Sequence, residues 1–370
     1  MNANIVTIFL CGDMMTGRGI DQVLPHPGDP RIWEPGMISA GGYLELAEAA
    51  NGPIPKPADF SYIWGDAIGE FDHMRPDVRI INLETAVTRS DDYVPKGINY
   101  RMNPQNIPCL TVARIDCCVL ANNHVLDWGQ SGLLETLDTL ETANLKPCGA
   151  GRNIAEARAP AIIELGGGRR VVVFSFGSIT SGIPRDWAAS ENRPGVNLLP
   201  DLSGRTAGCI AELVREVKRP GDIVVASIHW GSNWGYQIPH EQRDFAHELI
   251  DAAQIDIVHC HSSHHAKGIE VYKDKPILYG CGDFLDDYEG ISGYEAFRDD
   301  LVLMYFASIE PESGRLVRFE MRPLQIRNFR LHCALRQDCR WLRDILDREG
   351  SSLGTRVALD DAMALILKWP

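Results

Sequence analysis

Asp, Glu, Asn and His recur in this chain directly after strand-like apolar runs, and these side chains bind hard and borderline divalent cations. Gly12-Asp13 follows the run 5–10, Asn82-Leu83-Glu84 follows 78–81, and Asn122-Asn123-His124 follows 117–121. His229 follows 222–228, His261-Ser262-Ser263-His264 follows 255–258, and Gly282-Asp283 follows 276–280. Open α/β sheets bind ligands in the crevice at the carboxyl ends of their strands. A ligand set repeated at such ends is how a metal site looks before the chain folds. The repetition carries the argument, since each segment alone also has a plain structural reading.

Asp13, Glu84, Asn123, His229, His261 and His264 offer three imidazoles, two carboxylates and one amide. Mixed N/O sets of this kind suit Zn, Mn or Fe. Six ligands are ample for one ion, and serve two if Glu84 bridges and waters complete the shells. Two ions sharing a carboxylate activate water while binding both oxygens of a phosphoryl group. His124 points away from any metal bound by the neighbouring Asn123, which leaves it the role of general acid. Asp127, three residues on, is placed to hold that imidazole by hydrogen bond. Arg18, Lys96 and Arg101 lie near these segments and are candidates for receiving an anionic group, Arg being suited to bidentate contact.

The plain readings run alongside. Gly-Asp after a strand is commonly a turn, Asn82-Leu83-Glu84 could cap a helix, and Asn122-Asn123 could be a left-handed turn. His229 could stack on Trp230 and Trp234 in the interior. The cluster His259, His261, His264, His265 is harder to assign to packing alone. Gly12 to Arg18 is no P-loop, because the Gly-Lys-Ser/Thr ending is missing.

Elements with two alternating periods must position these groups. Strands and helices alternate through the first half, an α/β pattern. Residues 25–58 are dense in Pro and Gly and read as an irregular insertion around a helix near 42–50. Helices are expected at 60–74, 129–143, 206–218 and 241–253, the second from Leu133, Leu134, Leu137 and Leu140. Gly166-Gly167-Gly168 reads as the turn of a hairpin joining 161–165 to 171–176. Residues 177–204 read as loop, and short strands are expected at 256–260, 268–272 and 276–280. A second hairpin is expected over 301–309 and 315–322. Two helices, 334–348 and 356–369, are expected to close the chain. The resulting division is a main domain over 1–325 and a helical extension over 326–370.

Bulk composition narrows the function classes. The 370 residues are 45% apolar and 23% charged, enough core for a folded protein and too little charge for long disorder. A net charge of −14 without a basic stripe argues against nucleic-acid binding. It leaves an anionic substrate open, because a bound cation reverses the local sign. No run approaches the roughly 20 apolar residues of a membrane-spanning helix, and the start Met1-Asn2-Ala3-Asn4 lacks a basic leader. The ten cysteines show neither disulfide-framework spacing nor a Cys-x-x-Cys pair. The expectation is a reduced, cytoplasmic protein without a membrane anchor.

Taken together, Gly12-Asp13-Met14-Met15, Asn82-Leu83-Glu84, Ala121 to Gly129, Gly149-Ala150-Gly151-Arg152, His229-Trp230-Gly231, His261 to His265 and Tyr279 to Phe284 resemble the CapA/PgsA family. Tyr100-Arg101-Met102 is similar to it too. That family comprises bacterial capsule or poly-γ-glutamate synthesis proteins within the calcineurin-like metallophosphoesterases, and the likeness spans about 5–310. The resemblance implies a four-layer α/β/β/α sandwich with the site at the strand ends. It implies Asp13, Glu84, Asn123, His229, His261 and His264 as metal ligands and His124 as proton donor. Met15 stands where the superfamily carries His, Glu84 where it carries Asp, and Cys260 where it carries Gly.

Three functions are consistent with these residues. The first is a metal-dependent hydrolase or transferase related to poly-γ-glutamate metabolism, acting on an anionic small molecule, peptide or polyglutamate. The second is a metal-free acid/base enzyme, an epimerase or isomerase acting on a peptide. The third is a non-catalytic subunit that binds polymer during capsule synthesis.

Overall fold

Alternation along the strands decides how the sheets stack. The computed structural model describes residues 5–370, so the reading of Met1–Asn4 as no leader lies outside the described residues. In the strand Val6–Met14, Ile8 and Leu10 join one apolar cluster, while Phe9 and Cys11 join another. In Arg170–Gly177, Val171 and Val173 join the first of these, while Val172 and Phe174 join a third. Successive side chains of a strand point to opposite faces. Strands buried on both faces therefore read as unbroken apolar runs, as these two do.

The strands form two large mixed sheets. The ten-stranded one runs Val6–Met14, Val78–Leu83, Cys117–Val119 and Lys146–Cys148 in parallel. Its other half is antiparallel, entered by pairing Val6–Met14 with Leu301–Glu310, which pairs in turn with Arg315–Ile326. The six-stranded one sets Arg170–Gly177, Ile223–His229, Ile257–His261 and Lys275–Leu278 parallel. Ala161–Glu164 and Ile269–Tyr272 close its two edges antiparallel.

The cluster containing Ile8 and Val171 draws residues from both sheets. Helices cover the outer faces. Phe71 of Ala67–Met74 and Leu133, Leu137 and Leu140 of Gly129–Thr142 pack with Phe9. Ile210 and Val214 of Gly204–Val217 and Phe245 and Leu249 of His240–Asp251 pack with Phe174. Those last two helices bury one stripe each, the spacing expected of a surface helix.

Both expected hairpins form, 161–164 with 170–173 and 301–310 with 315–325. The insertion contains the helix Gly41–Asn51 and a small hairpin, Arg31–Glu34 with Met37–Ser39. One expected element is corrected. The first closing helix is present as Arg336–Ser351, but 356–369 is a hairpin of Arg356–Leu359 and Leu365–Lys368, bonded to Arg315–Ile326. Ala, Leu, Met and Lys are good helix formers, yet Val357, Leu365 and Leu367 alternate into the core between the sheets. Burial on a period of two outweighs that propensity. No helix among the described residues is long and apolar enough to cross a membrane. The ten cysteines form no disulfide.

Candidate metal centre

Parallel register brings the strand ends of both sheets to one place. In the larger sheet Asp13 sits opposite Asn82 and Asp283. In the smaller, His229 sits opposite His261. Glycine makes the approach possible: a Cβ on Gly12 would lie 1.7 Å from the Gly282 carbonyl oxygen. That same oxygen accepts the Asp13 N–H at 3.0 Å.

Asp13, His229 and His261 converge, with one ligand atom from each lying within 4.8 Å of the others. Asp13 Oδ1 is 3.8 Å from His229 Nδ1 and 3.7 Å from His261 Nδ1, and the two ring nitrogens are 2.7 Å apart. The carboxylate is held in place twice. Asn82 Nδ2 donates to Oδ1 at 2.6 Å and the Ser262 N–H donates to Oδ2 at 3.0 Å. Ser262 reaches it from a backbone with φ of 103°, a conformation that non-glycine residues rarely adopt. Strain of this kind persists where the surroundings enforce it.

Glu84 and Asn123 stand on the far side of His229. Asn123 Oδ1 lies 3.0 Å from His229 Nε2, and Glu84 Oε1 lies 3.6 Å from the same nitrogen. An amide oxygen only accepts, so His229 donates from Nε2 and its Nδ1 is left with a lone pair facing Asp13 and His261.

The donor set fits a divalent cation. Burial raises the Asp13 pKa to about 8, with Asp283 adding to the effect. Burial, then Asp13 and Asp283, push Glu84 well above the ordinary carboxylate range. Burial also holds His229 and His261 well below the usual imidazole value, so both rings are neutral ligands at neutral pH. A nearby cation lowers the cost of ionising such carboxylates. Two imidazoles and one carboxylate leave coordination positions open, as catalytic sites require.

His264 is carried elsewhere. Its Nδ1 lies 2.9 Å from both Asp283 oxygens and its Nε2 2.9 Å from Asn233 Nδ2. Burial works against charge on this ring, and Asp283, Asp13 and Asp299 together outweigh it, so its pKa is raised. Both ring nitrogens of His264 thus have partners outside the Asp13, His229 and His261 group.

His124 and Asp127 do meet, at 2.7 Å between Nδ1 and Oδ2. Lys96 Nζ lies 3.0 Å from Asp127 Oδ1 and donates to the Asn123 carbonyl at 2.6 Å. Tyr100 stacks on the His124 ring at 3.8 Å between centroids, and its N–H donates to Asp127 Oδ2. Burial, Lys96 and Arg18 keep His124 well below the usual imidazole pKa. Burial lifts Asp127 to about 7 against the pull of Lys96. His124 Nε2 faces Glu84 Oε1 at 3.9 Å.

The three cations expected to meet an anion already have partners. Arg18 is buried between Glu34 and Asp287 and lies 3.8 Å over the Tyr43 ring. Arg101 donates to Ser90 and Asp29 carbonyls, pairs with Asp91 and covers Trp128. Only Lys96 of the three touches His124. Sequence reasoning passed over Asn82, Asp283 and Ser262 as working residues, although each stands in a segment it singled out. Ser227 and His259 it missed as partners; their signal was the Ser-x-His and His-x-His spacing on adjacent strands.

Residues 7–288 match the model of the family described as bacterial capsule synthesis protein PGA_cap. A probable polyglutamine synthesis accessory protein of Mycobacterium tuberculosis is 47% identical over 358 residues, covering 96% of this chain and 94% of that protein. The PGA biosynthesis protein CapA of Bacillus subtilis is 26% identical, over 87% of this chain and 72% of its own length. The capsule biosynthesis protein CapA of Bacillus anthracis is 22% identical, over 81% and 63% respectively. The chain therefore belongs to the bacterial capsule synthesis protein family PGA_cap.

Proposed function

We propose that this protein is a metal-dependent hydrolase or transferase of the CapA type, acting in the synthesis or processing of a γ-linked glutamate polymer. The observation that carries the reading is the convergence of Asp13, His229 and His261 at the strand ends, beside the His124–Asp127–Lys96 group. We read the two sheets and their covering helices as the four-layer α/β/β/α sandwich of the metallophosphoesterases, supported by the three apolar clusters. Residues 326–370 are then an extension whose closing hairpin lengthens the larger sheet.

Asp13, His229 and His261 would hold one divalent ion, Mn, Zn or Fe, with Glu84 and Asn123 alongside. Such an ion supplies Lewis acidity and a water that is nucleophilic near neutral pH. The chain's own groups supply orientation and proton transfer. Asp127 accepts the His124 Nδ1–H and so leaves Nε2 as the nitrogen that exchanges protons with substrate. Lys96 fixes Asp127 and the Asn123 carbonyl together, and its ammonium is the cation nearest to an incoming phosphate or γ-carboxylate. Tyr100 closes one face of the imidazole to water. Nε2, bare in the neutral ring, takes up a proton as the attacking water adds and passes that proton to the leaving oxygen or nitrogen.

His124→Ala tests this directly. Turnover of γ-glutamyl or phosphoester substrates should fall by about 10²–10⁴-fold, while elemental analysis finds the metal content unchanged. Full turnover in that variant would remove His124 from the mechanism. That the mycobacterial relative is named a probable polyglutamine synthesis accessory protein favours a second reading, in which the site binds polymer without turning it over. Polyglutamate retained by metal-loaded protein, with no cleavage or transfer, would select it.

A further inference from the structure

Four buried side chains lie on one face of two neighbouring strands. Register sets Ser227 beside His259 and His229 beside His261. His259 Nε2 lies 2.7 Å from the Cys11 carbonyl oxygen. A carbonyl has no proton to give, so that ring nitrogen is the donor. Among the described residues the His259 ring has no carboxylate partner; its other contact is Ser227 Oγ, 3.0 Å from Nδ1. Nδ1 of this neutral ring is an acceptor, and the serine hydroxyl gives it its one proton. Ser227 Oγ must then accept at its remaining contact, His261 Nε2, 2.9 Å away. His261 therefore carries its proton on Nε2, and its Nδ1 is bare toward Asp13 and His229.

We propose that Ser227 and His259 are positioning residues of the metal centre. Together they form a hydrogen-bond chain, anchored on the Cys11 carbonyl, that locks His261 in the tautomer whose Nδ1 binds a divalent cation. This rests on the metal reading above and extends it to two residues that touch no ion. The chain also crosses between sheets, since Cys11 belongs to the strand carrying Asp13. One ligand's tautomer is thus set by the backbone of the strand that supplies another ligand. Partners of this sort hold a ligating imidazole in orientation, and their loss typically weakens metal binding about 10–100-fold.

The test has two arms. In the metal-free, ¹⁵N-labelled protein, long-range ¹H–¹⁵N correlation of the imidazoles, assigned with His261→Gln, should find the His261 proton on Nε2. Calorimetric titration with Mn²⁺ alone should give a dissociation constant about 10–100-fold weaker for Ser227→Ala than for the parent, at an unchanged thermal transition. A proton on Nδ1 of His261 in the parent protein overturns the proposal. So does a folded Ser227→Ala variant that binds Mn²⁺ as the parent does. Should the parent bind no Mn²⁺ or Zn²⁺, the metal reading fails, and the tautomer measurement still decides the hydrogen-bond chain.

Discussion

Asp13 is the group on which the chemistry of this centre turns, because its carboxyl competes between a proton and a cation. With burial and Asp283 raising its pKa to about 8, Asp13 is mostly protonated at pH 6 in the metal-free protein. His229 and His261, depressed by burial, add no proton competition at neutral pH. Binding must then release about one proton, so apparent Mn²⁺ affinity should rise about tenfold per pH unit below pH 8 and level off above it. Titration in buffers of different ionisation enthalpy measures both slope and proton count; an affinity flat from pH 6 to 8 would show that Asp13 is ionised before binding. Asp13, His229 and His261 were legible in the sequence because a ligand-type residue at a strand end needs only its own strand to be placed. The partners of His264 and Arg18 were not legible, because they lie elsewhere in the chain. Asp283 claims His264 from 19 residues away, and Asp287 claims Arg18 from 269 away.

Elements place these residues through close backbone approach as much as through sheet register. Gly12 is the clearest case, because what a side chain there would strike is the backbone carbonyl of Gly282, which cannot swing aside. Gly12→Ala should therefore separate the Gly12 and Gly282 segments and displace Asp13. The expected cost is about 1–3 kcal/mol of stability or more, with metal content falling together with it. Urea denaturation and elemental analysis check the two halves, and a stable variant that keeps its metal would show that the approach relaxes freely. The strand–helix alternation and both hairpins were readable because burial imposes periods of two and 3.6 on the sequence. The segment 356–369 was not. Its apolar residues fit a helix locally, and only the edge of Arg315–Ile326, with the core beneath, makes them strands. The insertion's role was hidden for a related reason: Glu34 acts by reaching Arg18, which no local pattern announces.

At the scale of the whole molecule, one sheet contributes Asp13 and the other contributes His229 and His261. The acidic surface, at a net charge of −14, lies outside a centre whose three candidate ligands are all at most 1% exposed. Enclosure of that kind has a kinetic side. A chelator could reach an ion held there only at its open coordination positions, so loss of the ion would wait for these three side chains to let go as the ends of the two sheets part. Its escape should then follow the clock of that opening. The rate at which EDTA strips the loaded protein should reach a plateau as EDTA is increased, and Gly12→Ala should raise the plateau. A stripping rate that climbs in proportion to chelator at every concentration would mean that the ion is exchanged at an open door.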